Sequence, residues 1–176
     1  MEEKYKDQYR IPSARAQWHD YNEGSFFVTI CTKNRNHYFG EIINGEMAYS
    51  PIGQFAHQSI KQIELLHGDI KTPVFQVMPN HIHILFVVIR SQHYQKTNEE
   101  SSLDNGMTHI ANQCGRMSHV IARFKSAVTK YSRQHNIDFG WQSRFHDHII
   151  RDLREWDLIT NYIKNNVDKW EQKRHV

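Results

Sequence analysis

Residues 73–88 constrain the fold more than any other part of this chain. Pro73 to Met78 reads as a strand, Pro79-Asn80 as a turn, and His81 to Ile89 as a second strand of branched and aromatic apolar residues. Two strands joined by so short a turn must run antiparallel. Side chains at i and i+2 of a strand share a face, so His81 and His83 stand side by side. Two adjacent imidazoles have the geometry that holds one metal ion. In a chain with thirteen histidines, however, a lone His-x-His is more often a pair of ordinary polar residues at a strand edge.

The remaining elements follow from pattern and punctuation. Phe26 to Thr32 is a β-branched and aromatic run, hence a buried strand. Tyr38 to Ile43 and Glu46 to Tyr49 flank Asn44-Gly45, the preferred pair for a type I′ hairpin turn. Ser50-Pro51 gives a helix cap followed by proline at the first helical position. Ile52, Phe55, Ala56, Ile60, Ile63 and Leu66 then recur at helical spacing, and Gly68 supplies the stop. Residues 90–112 are rich in Ser, Asn, Gln and Glu and read as a long loop or mobile segment. A helix over 116–134 presents Val120, Ile121, Phe124, Ala127, Val128 and Tyr131 to the core. Trp141 to Ile150 reads as a strand. Asp152 caps a last helix over 153–172, with Leu153, Trp156, Ile159, Ile163, Val167 and Trp170 as its buried stripe. Residues 1–24 are a polar, irregular arm, and 25–172 form one domain. Irregular alternation of helices and hairpins argues for an α+β fold with a mostly antiparallel sheet.

Bulk properties set outer limits. A length of 176 residues suits one domain with a real core. Cys31 and Cys114 are far apart and belong to no Cys-x-x-Cys pair, so neither a zinc knuckle nor a disulfide framework is indicated. No apolar run approaches a membrane span, and the N-terminus lacks the apolar core of a secretory signal; a cytoplasmic location is the default expectation. A net charge of +3 permits a polyanionic partner without demanding one.

The last helix carries a second signal. Tyr162 and Asn166 are four residues apart and share a face, on the flank of the buried stripe. Alone they read as boundary packing. On the earlier helix, Arg116, Arg123 and Lys130 recur every seven residues, which fits either a solvated stripe or a phosphate-contacting one.

Taken together, several blocks resemble the HUH single-tyrosine transposases, above all the REP-associated tyrosine transposases and insertion-sequence-200-like enzymes. They are Phe26-Phe27-Val28-Thr29-Ile30-Cys31-Thr32-Lys33-Asn34-Arg35, Phe39-Gly40-Glu41-Ile42, Val77-Met78-Pro79-Asn80-His81-Ile82-His83, and Phe124 to Lys130. Trp141-Gln142, His148 to Arg151, and Tyr162-Ile163-Lys164-Asn165-Asn166 complete the set. The resemblance implies a ferredoxin-like (RRM-like) antiparallel sheet with packed helices, the histidine strand central and the tyrosine helix beside it. It implies cleavage and joining of single-stranded or hairpin DNA, with Tyr162 as nucleophile and a covalent 5′-phosphotyrosine intermediate. His81, His83 and Asn166 would hold a divalent cation, Mg²⁺ or Mn²⁺. Arg116, Arg123, Lys125 and Lys130 are candidate DNA contacts, and a homodimer is in keeping with the family. Two features depart from the pattern: Val167 stands where the family usually has proline after the asparagine, and an N-terminal Gly-Thr-Trp signature is missing. The competing readings are a non-catalytic nucleic-acid-binding domain of ferredoxin-like fold and a metal-dependent phosphodiesterase in which Tyr162 only packs.

Overall fold

A computed structural model describes residues 4–5, 8–9, 23–89 and 115–172. The expected loop over 90–112 and most of the expected arm over 1–24 lie outside the described residues. In chain order the elements are β1 (Lys4–Tyr5), β2 (Gln8–Tyr9), β3 (Gly24–Cys31), a 3₁₀ turn (Lys33–Arg35), β4 (Gly40–Ile43), β5 (Glu46–Tyr49) and α1 (Pro51–Leu66). They continue with β6 (Ile70–Met78), β7 (His81–Val88), α2 (Gly115–Gln134), β8 (His146–Ile150), α3 (Leu153–Lys164) and α4 (Asn166–Gln172). β1 pairs with β2, and β4 with β5, as two small antiparallel ribbons.

The main sheet has four antiparallel strands in the order β6-β7-β3-β8. Its register sets Met78 opposite His81 across the Pro79-Asn80 turn. β6 lies at an edge, which suits Pro73: a residue with no N–H cannot serve a central strand, and the ladder is irregular between Lys71 and Val74. β7 and β3 are central. Even-numbered residues of β7 (Ile82, Ile84, Phe86, Val88) join Phe26, Val28 and Ile30 of β3 in the large core, which α1 and α2 cover. The opposite face carries a small core of Leu85, Ile150 and Ile163, with Phe27, Val74, Val87, Trp156 and Ile159 packed around it. α3 covers that side.

Local chemistry explains the boundaries. Asn44 and Gly45 both have positive φ, 53° and 77°, as a type I′ turn requires. Ser50 Oγ accepts from the Gly53 amide at 3.1 Å, capping α1. Gly53 has to be glycine: a Cβ there would lie 1.9 Å from the Phe39 carbonyl oxygen. The structure departs from the sequence reading in four places. α1 ends at Leu66 with the extended residue His67 as its cap, and Gly68 has no left-handed turn to make. Trp141 forms only an isolated bridge to Thr32, so the strand begins at His146. Leu153 is 82% exposed, since the first turn of α3 projects beyond the sheet, and Ala127 is likewise exposed on α2. The last helix is broken: Asn165 leaves helical geometry at φ −92°, ψ 12°, and α4 starts at Asn166. Among the described residues, no helix is long and apolar enough to cross a membrane.

Candidate active site

The Pro79-Asn80 turn is fastened from both sides. Thr32 N–H donates to the Asn80 carbonyl, and Phe39 N–H to the Pro79 carbonyl, each at 3.0 Å. This anchors the start of β7 and points His81 and His83 onto the small-core face. Both are buried, 7% and 5% exposed. Their Nε2 atoms converge to 3.1 Å.

Each ring is also held from behind. His81 Nδ1 lies 2.7 Å from Asn80 Oδ1. A carboxamide oxygen only accepts, so His81 Nδ1 is the donor in this contact. His83 Nδ1 lies 2.9 Å from the hydroxyl of Thr29, its direct partner across β3. A hydroxyl donates or accepts, so the His83 tautomer can follow whatever lies between the two Nε2 atoms. Burial first, then the charges of His81 and Arg35, push the His83 pKa down to about 3. At neutral pH it is an uncharged imidazole, the form that ligates metals.

α3 and α4 bring the remaining groups. The Tyr162 ring, 40% exposed, stands 5.3 Å from the His83 ring of the same chain and meets Phe27 edge-on at 5.9 Å. Asn166 opens α4 and is buried, and among the described residues its Nδ2 has no hydrogen-bond partner. One turn further on, Trp170 lies between the His81 ring at 5.8 Å and the His37 ring at 5.6 Å. Lys169 Nζ sits 5.5 Å from the Tyr162 ring centre. The break at Asn165 lets one chain segment offer a phenol outward and an amide inward.

The donor set fits a divalent cation that accepts nitrogen as well as oxygen donors. Bonds of about 2.1 Å at right angles set two donors about 3 Å apart, which is the spacing of the two Nε2 atoms. Among the described residues, no third histidine, cysteine or carboxylate gathers with them. Asn166 supplies the buried polar group that needs a partner. Its amide nitrogen and oxygen have nearly the same shape, so turning the amide presents an acceptor in place of the orphan donor.

The basic residues of α2 lie elsewhere, because α2 packs with α1 on the large-core face. Arg116 forms a two-pronged ion pair with Asp69, with Nη2 to Oδ1 at 2.8 Å, and also reaches His67 Nδ1 at 3.1 Å. Lys125 donates to the Gln142 carbonyl at 2.7 Å and lies over the Trp141 ring. Arg123 and Lys130 are exposed; Lys130 lines an open depression with Lys125, Ser126, Thr129, Arg133 and Gln134. His148 pairs with Glu155, whose carboxylate that contact holds below its usual range, and fixes the start of α3 against β8.

The sequence reading gave no role to Thr29, Asn80, Lys169 or Trp170. Thr29 follows from antiparallel register once β3 and β7 are paired. Lys169 is seven residues after Tyr162, nearly two turns on the same face, and Trp170 is one turn after Asn166.

No family model matches this chain. A protein of Haemophilus influenzae, itself uncharacterised, is 33% identical over 162 residues, 91% of this chain and 89% of its own length. The structure of a REP-associated tyrosine transposase bound to a REP hairpin superposes with a TM-score of 0.56 at 16% identity, over 90% of this chain and 74% of that one. A protein of Deinococcus radiodurans aligns over 88% of this chain and 97% of its own at 13% identity, with a TM-score of 0.39. The chain thus belongs to one family with the Haemophilus influenzae protein, and its antiparallel sheet with packed helices is the fold of the REP-associated tyrosine transposase.

Proposed function

We propose that this protein cuts and rejoins single-stranded or hairpin DNA through a covalent link to Tyr162. The observation that carries this reading is the meeting, within one chain, of an accessible phenol with two buried imidazoles whose Nε2 atoms converge. The phenol oxygen would attack a backbone phosphorus. The new bond joins Tyr162 to the 5′-side phosphate, the bond from phosphorus to the 3′ oxygen breaks, and that oxygen leaves as a 3′-hydroxyl, taking one proton from solvent in exchange for the one the phenol releases. The link keeps the phosphodiester energy, so the reverse attack by a 3′-hydroxyl reseals the strand.

His81, His83 and Asn166 would hold Mg²⁺ or Mn²⁺, which when bound supplies positive charge to polarise the phosphate and offset charge on the leaving oxygen. Asn80 and Thr29 orient the two imidazoles from behind. Phe27 and His83 hold the tyrosine ring on two sides, which fixes the direction of the phenol. Arg123 and Lys130 are left for more distant phosphate contacts on the duplex part of a hairpin.

The test is incubation with hairpin DNA and Mn²⁺ or Mg²⁺, followed by denaturing electrophoresis. Wild type should give an SDS-resistant protein–DNA adduct, and Tyr162→Phe none. Binding without an adduct would instead identify a non-catalytic DNA-binding domain. Cleavage that survives Tyr162→Phe would identify a phosphodiesterase.

A further inference from the structure

Two exposed cations lie on separate walls that meet at the site. Arg35 belongs to the 3₁₀ turn after β3, and Lys169 to α4. The walls meet where the His37 ring packs on Trp170. We propose that Arg35 and Lys169 clamp the phosphodiester backbone of a single nucleic-acid strand on either side of Tyr162. This deepens the reading of Tyr162 as the group that attacks a phosphate, and rests on it.

The Arg35 wall has a built geometry. Asn34 and Arg35 are successive non-glycine residues in the left-handed region, at φ 54° and 58°. Such conformations persist only where surrounding contacts enforce them, and they concentrate at functional sites. Here the enforcing contacts are those that also hold the histidine turn. Thr32 Oγ1 lies within hydrogen-bond reach of the Asn36 carbonyl at 2.8 Å and the Asn80 carbonyl at 2.9 Å, and Arg35 N–H donates to the Thr32 carbonyl at 3.2 Å. The residue that orients His81 therefore also fixes the turn bearing Arg35.

The Lys169 wall is defined by its contact with the nucleophile. Its ammonium is 5.5 Å from the Tyr162 ring centre. Both side chains are exposed, and among the described residues no carboxylate pairs with either. Arg116 shows the alternative in the same molecule: a guanidinium locked onto Asp69. Two exposed cations with no carboxylate partner among the described residues, one of them over the Tyr162 ring, attract an anion to this part of the site. A strand passing between them would offer one phosphate to each, since backbone phosphates are regularly spaced and singly charged.

The test measures binding of a fluorescent single-stranded oligonucleotide by anisotropy, in the Tyr162→Phe background, across a salt series. Arg35→Gln and Lys169→Gln should each weaken binding about fivefold at low salt. Each should also lower the slope of log K against log salt by about 0.7, the value for one phosphate contact on a single strand. Arg35→Lys and Lys169→Arg should recover most of the loss. Lys61→Gln, exposed on α1 across the sheet, should change nothing. The adduct assay is run in parallel with Tyr162 intact. If wild type forms an adduct and the glutamine variants bind as tightly as their parent, the clamp is overturned and the tyrosine reading stands. If no adduct forms but affinity still depends on Arg35 and Lys169, the clamp stands and the tyrosine reading falls. No binding by any form overturns both.

Discussion

The two faces of the main sheet are built from the same strands and do opposite things. Ile82, Ile84, Phe86 and Val88 of β7 point into a core of nineteen buried residues under α1 and α2. His81, His83 and Leu85 point the other way, where among the described residues the buried core is Leu85, Ile150 and Ile163. Alternation along a strand places each residue on a face with no choice about its neighbours. One face can therefore be apolar and closely packed while the other carries histidines, an accessible phenol and exposed cations. The lesson is a division of labour. Burial on the large-core face supplies the stability that allows the thinner face to hold two imidazoles 3.1 Å apart.

The sharpest way to break this comparison is to change one face and read the property assigned to the other. His81→Ala should lower adduct formation by on the order of 10³-fold, the size of several kcal/mol of lost transition-state stabilisation. Urea unfolding should move by much less than it does for a core truncation. If His81→Ala instead unfolds the protein, the histidine face is structural and the division fails.

Phe86→Ala is the converse. Phe86 is fully buried in the large core, and such truncations cost about 3–5 kcal/mol. Leu85→Ala, its neighbour on the thinner face, should cost about 2–3 kcal/mol, because fewer side chains surround it and the site can relax. Denaturant midpoints of the pair measure the asymmetry directly. At temperatures where Phe86→Ala remains folded, its adduct yield should match wild type.

How far this division is readable from sequence depends on the distance over which each signal acts. The Pro79-Asn80 turn, the Asn44-Gly45 hairpin and the α1 cap are local, and the structure places all three where the residues put them. The histidine pair was equally plain, since alternation alone puts both rings on one face. What pattern could not supply was the far side of the site. Arg35 and Lys169 are separated by more than half the chain, and only tertiary packing, seen in the His37–Trp170 contact, brings their segments together. Helical periodicity over 153–172 also concealed the break at Asn165, because a stripe of apolar residues continues across it. Spacing likewise could not tell a solvated arginine from a paired one. Arg116 shares a seven-residue repeat with Arg123 and Lys130, yet a carboxylate from the α1–β6 connection takes it.

That pairing gives the smallest effect and the clearest pH signature. Asp69 and Arg116 are partly buried and hydrogen-bonded, and that bond, with the charge, holds the Asp69 carboxyl below its ordinary value of 3.8. Asp69→Asn should therefore cost about 1–2 kcal/mol at pH 7, toward the lower end for charged hydrogen bonds because part of the pair is still solvated. A depressed folded-state pKa means that the unfolded chain takes up its proton first as the pH falls. The pair's contribution is complete above the unfolded value and declines as the pH drops toward the folded one. Urea titrations of wild type and Asp69→Asn should therefore converge below about pH 4 and lie furthest apart at neutrality. DNA affinity and adduct formation should be unaffected at pH 7, since the pair joins α2 to the α1–β6 connection on the large-core side. A loss of DNA binding in Asp69→Asn as large as that in Lys169→Gln would place Arg116 among the nucleic-acid contacts and erase the contrast between a paired structural arginine and the exposed cations of the proposed clamp.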